Sequence, residues 1–317
     1  MPDVEFQKSP GSEGESYFSS IGALLQYHAA TRPDRPALLD PTGAVVSYAR
    51  LWALTSDILR DLRSLGIGPA DRLAVVLPRG PENAIALVAV AASAVCVPVN
   101  PDFTADELLR YFSDLRLSAL VTRADMSSAS RGVAHTLGIP VIDIAPRQRA
   151  GFVLTGRPIR PAVAAGAATR EDDAFILLTS GTASRPKMVP LTQASACRSA
   201  YNAGAVLRLT GEDRLLNVLP LFHAHGLISG VLTALSAGSS VICTPGFDPQ
   251  SFFACLRELR PTWYTAVPAI HRALLSAADA PAALVGDCSL RVIRSASSSL
   301  APAVLEGLEA LFGVPVI

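Results

Sequence analysis

A short run of small and hydroxylated residues that ends in a lysine, Thr179 to Lys187, has the composition of a phosphate-binding loop. The apolar residues before it, Phe175 to Leu178, predict a buried strand. Gly181 permits backbone angles that other residues resist, and Pro186 stiffens the approach to Lys187. Hydroxyls and unobstructed backbone N–H groups come from Thr179, Ser180, Gly181, Thr182, Ala183 and Ser184. This segment predicts a polyphosphate site.

The spacing from Gly181 to Lys187 is that of the GxxxxGK[ST] phosphate loop. That motif is excluded, because Pro186 replaces its second glycine and Met188 replaces its magnesium-binding hydroxyl. The alternative is a hairpin turn rich in Ser and Thr between two buried strands.

Two histidines, His223 and His225, follow the apolar residues Leu221 and Phe222 at an expected strand end. Each imidazole has an ordinary pKa of about 6.5, and by spacing alone the two could form half of a metal site. No Asp, Glu or Cys lies nearby in sequence to complete a metal site, so no metal ligands are predicted. Structural histidines remain the alternative.

Four segments then occur in order along the chain, namely TSGTASRPKMVPLTQ, PLFHAHGL, WYTAVPAIH and RSASSSLAP. Together they resemble the adenylate-forming superfamily, which contains acyl-CoA synthetases, peptide-synthetase adenylation domains and luciferases. The first segment resembles the family signature TSGTTGxPKG, from which Ala183, Ser184 and Met188 depart. The set looks most like the oxalate–CoA ligase branch of the acyl-CoA synthetases.

The resemblance implies ATP and coenzyme A as co-substrates of a carboxylic acid. It implies that the loop and Lys187 hold the β- and γ-phosphates, that His223 lies at the carboxylate pocket and that His225 is its neighbour. It also places Val267 on the acyl-pocket strand, and it places three residues beside the adenine: Ser297, Ser298 and Ser299. A serine-rich turn that caps a helix from Pro302 is the alternative for any one of these serines.

The acid is expected to be a very small dicarboxylate, oxalate first, because a buried second carboxylate needs hydrogen-bond donors. His225 and the three serines can supply them, and Arg294 or His271 could contribute instead. A rival interpretation is a fatty acyl–AMP ligase or a peptide-synthetase adenylation domain. A different class is a nucleotide-binding fragment without turnover.

The resemblance covers roughly residues 21–317, about three-quarters of the family's large N-terminal domain. The family's magnesium and ribose ligands and its small C-terminal domain would lie beyond Ile317. We therefore expect Mg²⁺ to be bound mainly by residues beyond this chain, and we expect the 317-residue chain to be inactive alone.

The composition of the chain argues against some classes of binding partner. Lys plus Arg and Asp plus Glu both number 27, so no broad basic face for nucleic acid is expected. The longest apolar stretch, residues 84–99, is shorter than the roughly 20 residues of a membrane span. Five scattered cysteines without a CxxC pair suit a reducing cytoplasm. Nothing in the composition predicts an oligomeric state.

Strand and helix patterns alternate along most of the chain, which predicts an α/β fold of two helix-flanked, mostly parallel sheets. Residues 1–18 are expected to be a disordered leader, 19–150 a first lobe, 151–173 a connection rich in Pro and Gly, and 174–317 a second lobe. The predicted helices include Pro81–Cys96, Leu227–Leu235, Pro249–Leu259 and one started by Thr104 with Glu107 three residues on. The predicted strands include Ser240–Cys243.

Overall fold

Strands and helices alternate along the chain in the computed structural model, which describes residues 6–8, 16–126, 128–147, 151–164, 166–179, 187–277 and 288–317. The strands are β1 (Phe6–Lys8), β2 (Ser16–Phe18), β3 (Pro36–Leu39), β4 (Val45–Ser47), β5 (Arg72–Val75), β6 (Val95–Pro98), β7 (Ala119–Arg123), β8 (Val141–Arg147), β9 (Gly151–Thr155), β10 (Asp173–Thr179), β11 (Lys187–Thr192), β12 (Arg214–Asn217), β13 (Ser240–Cys243), β14 (Trp263–Ala266) and β15 (Val292–Ser295).

The helices are α1 (Ile21–Thr31), α2 (Tyr48–Ser64), α3 (Pro81–Ala91), α4 (Ala105–Leu115), α5 (Ala129–Thr136), α6 (Gln193–Val206), α7 (Ala224–Gly226), α8 (Thr233–Ser236), α9 (Pro249–Leu259), α10 (Pro268–Ser276) and α11 (Pro302–Phe312). A π-helical segment, Leu227–Leu232, separates α7 from α8. No helix in these described ranges is long and apolar enough to cross a membrane.

The described residues fall into two compact units. The first lies within Met1–Pro33, Tyr48–Pro78 and Glu82–Arg198, and the second within Asp34–Ser47, Arg79–Pro81 and Ser199–Ile317. Each unit contains one large sheet flanked by helices, as the sequence predicts.

The sheet of the first unit has the strand order β11-β10-β6-β5-β7-β8-β9. Its five inner strands are parallel, and β11 and β9 pair antiparallel at the two edges. Helix α3 is buried from Asn83 to Ala91, as is typical of a helix that covers a parallel sheet. Helix α4 begins with the predicted capping box, in which Thr104 and Glu107 hydrogen bond reciprocally.

The sheet of the second unit has the order β15-β14-β12-β13-β3-β4, in which only β4 is antiparallel to its neighbour. Tyr264 and Ala266 of β14 belong to its apolar core, where the Tyr264 ring lies 5.0 Å from that of Phe252. Thr265, between them, faces the other side of the sheet, because successive side chains of a strand alternate.

The predicted lobe boundaries need correction. Strands β9 and β10 both belong to the first sheet, so residues 151–155 are not a connection and residue 174 does not begin the second lobe. The apolar run of β10 pairs with β6 through Phe175 and Cys96, and the second unit resumes at Ser199. Conversely, the early β3–β4 hairpin lies in the second sheet.

The predicted disordered leader, residues 1–18, is wrong where it is described. Phe6–Lys8 pairs antiparallel with Ser16–Phe18, and Tyr17 and Phe18 are buried. The aromatic side chains explain the difference, because their burial offsets the entropy of ordering the segment.

Candidate active site

The proposed phosphate loop joins two strands of the first unit. Strands β10 and β11 are antiparallel, and Thr179 lies opposite Lys187 where the hairpin closes. The Thr179 hydroxyl donates to the carbonyl oxygen of Lys187 at 3.5 Å, and both residues are exposed. Phe175 and Ile176 of β10 are buried in the core. The exposed end of the hairpin therefore extends from a strand that the core fixes in place. The loop predictions for Ser180, Gly181, Thr182, Ala183 and Ser184 lie outside the described residues.

His223 lies between β12 and α7 of the second unit, next to the carboxyl end of the sheet. Its ring packs edge-on against Phe222 at a centroid distance of 4.6 Å. The guanidinium carbon of Arg79 lies 5.9 Å from the centre of the Phe222 ring. Partial burial lowers the pKa of His223, and the positive charge of Arg79 lowers it further. The imidazole is therefore neutral at neutral pH and can accept or donate a hydrogen bond.

His225 lies two residues further along the chain, within α7, and bridges two hydroxyl groups. Its Nδ1 lies 3.0 Å from Ser297 Oγ, and its Nε2 lies 2.7 Å from Thr265 Oγ1. The guanidinium Nη1 of Arg294 donates to Thr265 Oγ1 at 3.4 Å. We call His225, Thr265, Arg294 and Ser297 the His225 cluster. The structure thus brings together the predicted residues His225 and Ser297.

Sheet register explains why these residues meet. Strands β12, β14 and β15 are parallel neighbours, and Thr265 of β14 pairs in register with Arg294 of β15. The segments carrying His225 and Ser297 follow the carboxyl ends of β12 and β15. Open parallel sheets bind ligands at that edge.

Burial lowers the pKa of His225 to about 4, with further lowering by the positive charge of Arg294 and by His271. Burial also lowers the pKa of the Arg294 guanidinium, but an arginine remains protonated at neutral pH. In the described part of the chain Arg294 forms no ion pair. The His225 cluster therefore contains a partly buried cation, a neutral imidazole and hydroxyls, and an anion suits it.

The helix after His225 differs from the predicted α-helix over Leu227–Leu235. Its first six residues are π-helical, and the Thr233 hydroxyl donates to the carbonyl oxygen of Ile228 at 2.9 Å. This helix packs closely against the backbone of Pro220. A Cβ at Gly226 would overlap the carbonyl oxygen of Pro220, so glycine permits the contact. π-helical turns occur frequently at functional sites.

Three other predicted site residues are close in sequence to members of the His225 cluster. Val267 directly follows β14 as the N-cap residue of α10 and is half-buried. Ser298 and Ser299 are exposed. The alternative in which one of the serines caps the next helix is wrong, since Ala301 is the N-cap residue of α11 and no side chain caps it.

Thr265 is a residue of the site that the sequence did not single out, although it lies in the WYTAVPAIH segment. A threonine in a fully buried strand, flanked by the core residues Tyr264 and Ala266, is the signal that could have found it. No group of three or more His, Cys, Asp or Glu side chains that could hold a metal ion occurs among the described residues.

Known proteins resemble this chain over most of its length. Residues 25–317 match the family model described as AMP-binding enzyme. An oxalate–CoA ligase of Arabidopsis thaliana is 37% identical over 94% of this chain and 59% of its own length. A sulfoacetate–CoA ligase of Cupriavidus necator is 32% identical over 95% of this chain and 59% of its own length.

Among solved structures, the crystal structure of ATP-bound MatB from Rhodopseudomonas palustris has a TM-score of 0.79 to this chain. The two are 26% identical over 94% of this chain and 58% of that one. The chain thus spans little more than half the length of the relatives that it matches.

Proposed function

Because this chain belongs to the AMP-binding enzyme family, we propose that the protein is an ATP-dependent carboxylate–CoA ligase. In the proposed reaction, a carboxylate oxygen attacks the α-phosphorus of ATP, which gives an acyl-adenylate and releases pyrophosphate. The thiol of coenzyme A then attacks the acyl carbon and releases AMP. The relatives named as CoA ligases support this reaction class.

The protein's proposed contribution is alignment and charge neutralisation. Lys187 and the hydroxyls and N–H groups of the loop Thr179 to Ser184 would hold the β- and γ-phosphates. Ser298 and Ser299 would border the adenine. Mg²⁺ would shield the charge of the polyphosphate, but the described residues contain no cluster of side chains that fits it.

One observation carries the choice of acid, namely that Arg294, which forms no ion pair within the described residues, lies beside the donors of the His225 cluster. A fatty or aromatic acid would leave Arg294 without a counter-charge and the Ser297 proton without an acceptor, which costs free energy. A small acid with a second anionic group would satisfy them. The names of the two ligase relatives, for oxalate and sulfoacetate, agree with such an acid. We propose oxalate first, with His223 orienting the reacting carboxylate and Val267 lining the pocket.

The test compares acids on the longest natural form of the protein. Acid-dependent exchange of pyrophosphate into ATP measures the first step, and addition of coenzyme A measures the second. We expect kcat/KM for oxalate to exceed that for malonate, acetate, hexanoate and 4-coumarate. A preference for hexanoate or 4-coumarate would rule out the acid assignment, and absence of exchange with every acid would rule out the ligase.

A cytoplasmic location is part of the proposal. The cysteines are all free, and four of them, Cys96, Cys197, Cys243 and Cys255, are buried. Free thiols are typical of proteins in a reducing compartment.

A further inference from the structure

Arg294 determines which groups donate and which accept in the hydrogen bonds of the His225 cluster. A guanidinium group has only donors, so Arg294 Nη1 must donate to Thr265 Oγ1 across their 3.4 Å contact. Thr265 is fully buried, and its hydroxyl has a single proton of its own. Within the described ranges, the one acceptor in reach of that proton is His225 Nε2, at 2.7 Å.

The tautomer of His225 follows from this direction. If Nε2 accepts from Thr265, the proton of the neutral ring lies on Nδ1, which then donates to Ser297 Oγ at 3.0 Å. The opposite tautomer would aim two donors, from Arg294 and from His225, at Thr265 Oγ1. The buried Thr265 proton would then lack an acceptor, which is unfavourable.

Ser297 is the last residue in this series of hydrogen bonds and lies at the surface. Its side chain is exposed and its backbone φ is +77°. In the tautomer with the proton on Nδ1, its oxygen accepts from His225. A non-glycine residue in this conformation is uncommon and usually has a local cause. The Ser297 proton has no acceptor within the part of the chain that the structure describes, so it is free to donate to a ligand.

We propose that Arg294 and Thr265 are positioning residues that fix the tautomer of His225 and thereby make the Ser297 hydroxyl a donor to a carboxylate oxygen of the acid. The identity of that ligand rests on the proposed function, whereas the direction of the hydrogen bonds does not. A donor at this position selects an acceptor, so a carboxylate is favoured over a carboxamide that presents its NH₂ group.

The neutral state that this arrangement requires is consistent with the charges around the ring. Burial, Arg294 and His271 lower the pKa of His225 to about 4, so one ring nitrogen lacks a proton at pH 7. Thr265 and Ser297, which face the two ring nitrogens, are uncharged at that pH. The ring can therefore accept on one side and donate on the other.

The direct test is nitrogen NMR of the 317-residue chain with ¹⁵N-labelled histidine, without ligand. His225→Gln identifies the resonances of His225. We expect wild-type His225 to show a protonated Nδ1 and an unprotonated Nε2 at pH 7. A protonated Nε2 would overturn the proposal.

Two variants of Thr265 separate positioning from packing. Thr265→Val removes the hydroxyl at nearly constant volume, and Thr265→Ser retains it. We expect Thr265→Val to mix the two tautomers or invert them, and Thr265→Ser to restore the wild-type pattern. Circular dichroism melting identifies a variant that fails to fold, in which case Arg294→Met provides the same readout. A wild-type tautomer in folded Thr265→Val would contradict the assigned direction.

Calorimetric titration of the longest natural form of the protein with oxalate tests the ligand. We expect Thr265→Val to weaken oxalate binding roughly tenfold or more, and oxamate to bind wild type more weakly than oxalate by a similar factor, as for a hydrogen bond to a charged group. If the tautomer is as assigned but oxalate does not bind wild type, the acid in the proposed function is wrong and the hydrogen-bond direction stands.

Discussion

Asp213 accepts two hydrogen bonds from the guanidinium group of Arg291, from Nε at 2.6 Å and from Nη2 at 2.9 Å. The Thr262 hydroxyl and the backbone N–H of Thr210 also donate to this carboxylate. Arg291 in turn donates to the carbonyl oxygens of Leu207 and Arg208. These bonds connect the amino ends of β12 and β15 to the end of α6.

Asp213→Asn should destabilise the protein by about 2 to 3 kcal/mol. Removing one partner of a buried ion pair costs roughly 3 to 5 kcal/mol, and Arg291 is 38% exposed whereas Asp213 is 5% exposed, which lowers that cost. Urea unfolding measures the change. Glu212→Gln is the control, because the 81% exposed Glu212 pairs with Arg35 at the surface and should cost about 0.5 kcal/mol or less. An equal loss of unfolding free energy in Asp213→Asn and Glu212→Gln would contradict the stabilising role of the Asp213–Arg291 pair.

Stability should fall in acid because of the same carboxylate. Burial would raise the pKa of Asp213, but hydrogen bonds from Arg291, Thr210 and Thr262 outweigh burial and hold it below its ordinary value. Protons therefore bind the unfolded chain more readily, and the stabilisation is fully present above the unfolded pKa of about 3.9 and lost as pH falls through the folded value. Urea midpoints at several pH values should show a smaller acid loss in Asp213→Asn than in wild type.

Lys187→Ala should slow formation of the acyl-adenylate while leaving the fold intact, since the exposed lysine begins an edge strand. A preorganised cation at a phosphate typically contributes about 2 to 4 kcal/mol to kcat/KM. Pyrophosphate exchange on the longest natural form measures this. Arg257→Ala, which removes a surface cation of α9, should change nothing. Near-normal exchange in Lys187→Ala would mean that the hairpin is only a turn.

Gly226→Ala should destabilise the second unit and disturb His225, because the added Cβ would overlap the carbonyl oxygen of Pro220. Overpacking of this kind costs roughly 1 to 3 kcal/mol. Gly132→Ala in α5 is the matched control, since a Cβ there meets no atom within 4 Å and alanine should gain about 0.5 to 1 kcal/mol in a helix. Thermal melting compares the two. An unchanged melting temperature in Gly226→Ala would show that the helix can move away from Pro220 and avoid the overlap.

Local sequence signals predicted several elements to the residue. Ser240–Cys243 and Pro249–Leu259 have the predicted bounds. Asp248, Pro249 and the αL residue Arg260 mark the ends of α9, because caps depend on residues close in sequence. The predicted helix Pro81–Cys96 is longer than α3, which ends at Ala91. An apolar run interrupted only by Ser93 continues into β6, and periodicity cannot separate a buried helix from a buried strand.

Long-range pairing could not be predicted in the same way. The Pro- and Gly-rich stretch before β10 indicated a lobe boundary, but the pairing of β10 with β6 depends on residues nearly 80 positions away. In the site, the resemblance singled out His225 and Ser297. The roles of Thr265 and Arg294 depend on the register between β14 and β15, which no local pattern specifies.

The place of β3 in the second sheet has a consequence for synthesis of the protein. Leu38 of β3 pairs with Val241 of β13, and the two are 203 positions apart (241 − 38). At 5 to 20 residues per second, the ribosome needs roughly 10 to 40 s to make the intervening chain. The apolar β3–β4 hairpin must therefore wait for its partner strand, and a chaperone that covers it in that interval should raise the yield of folded protein.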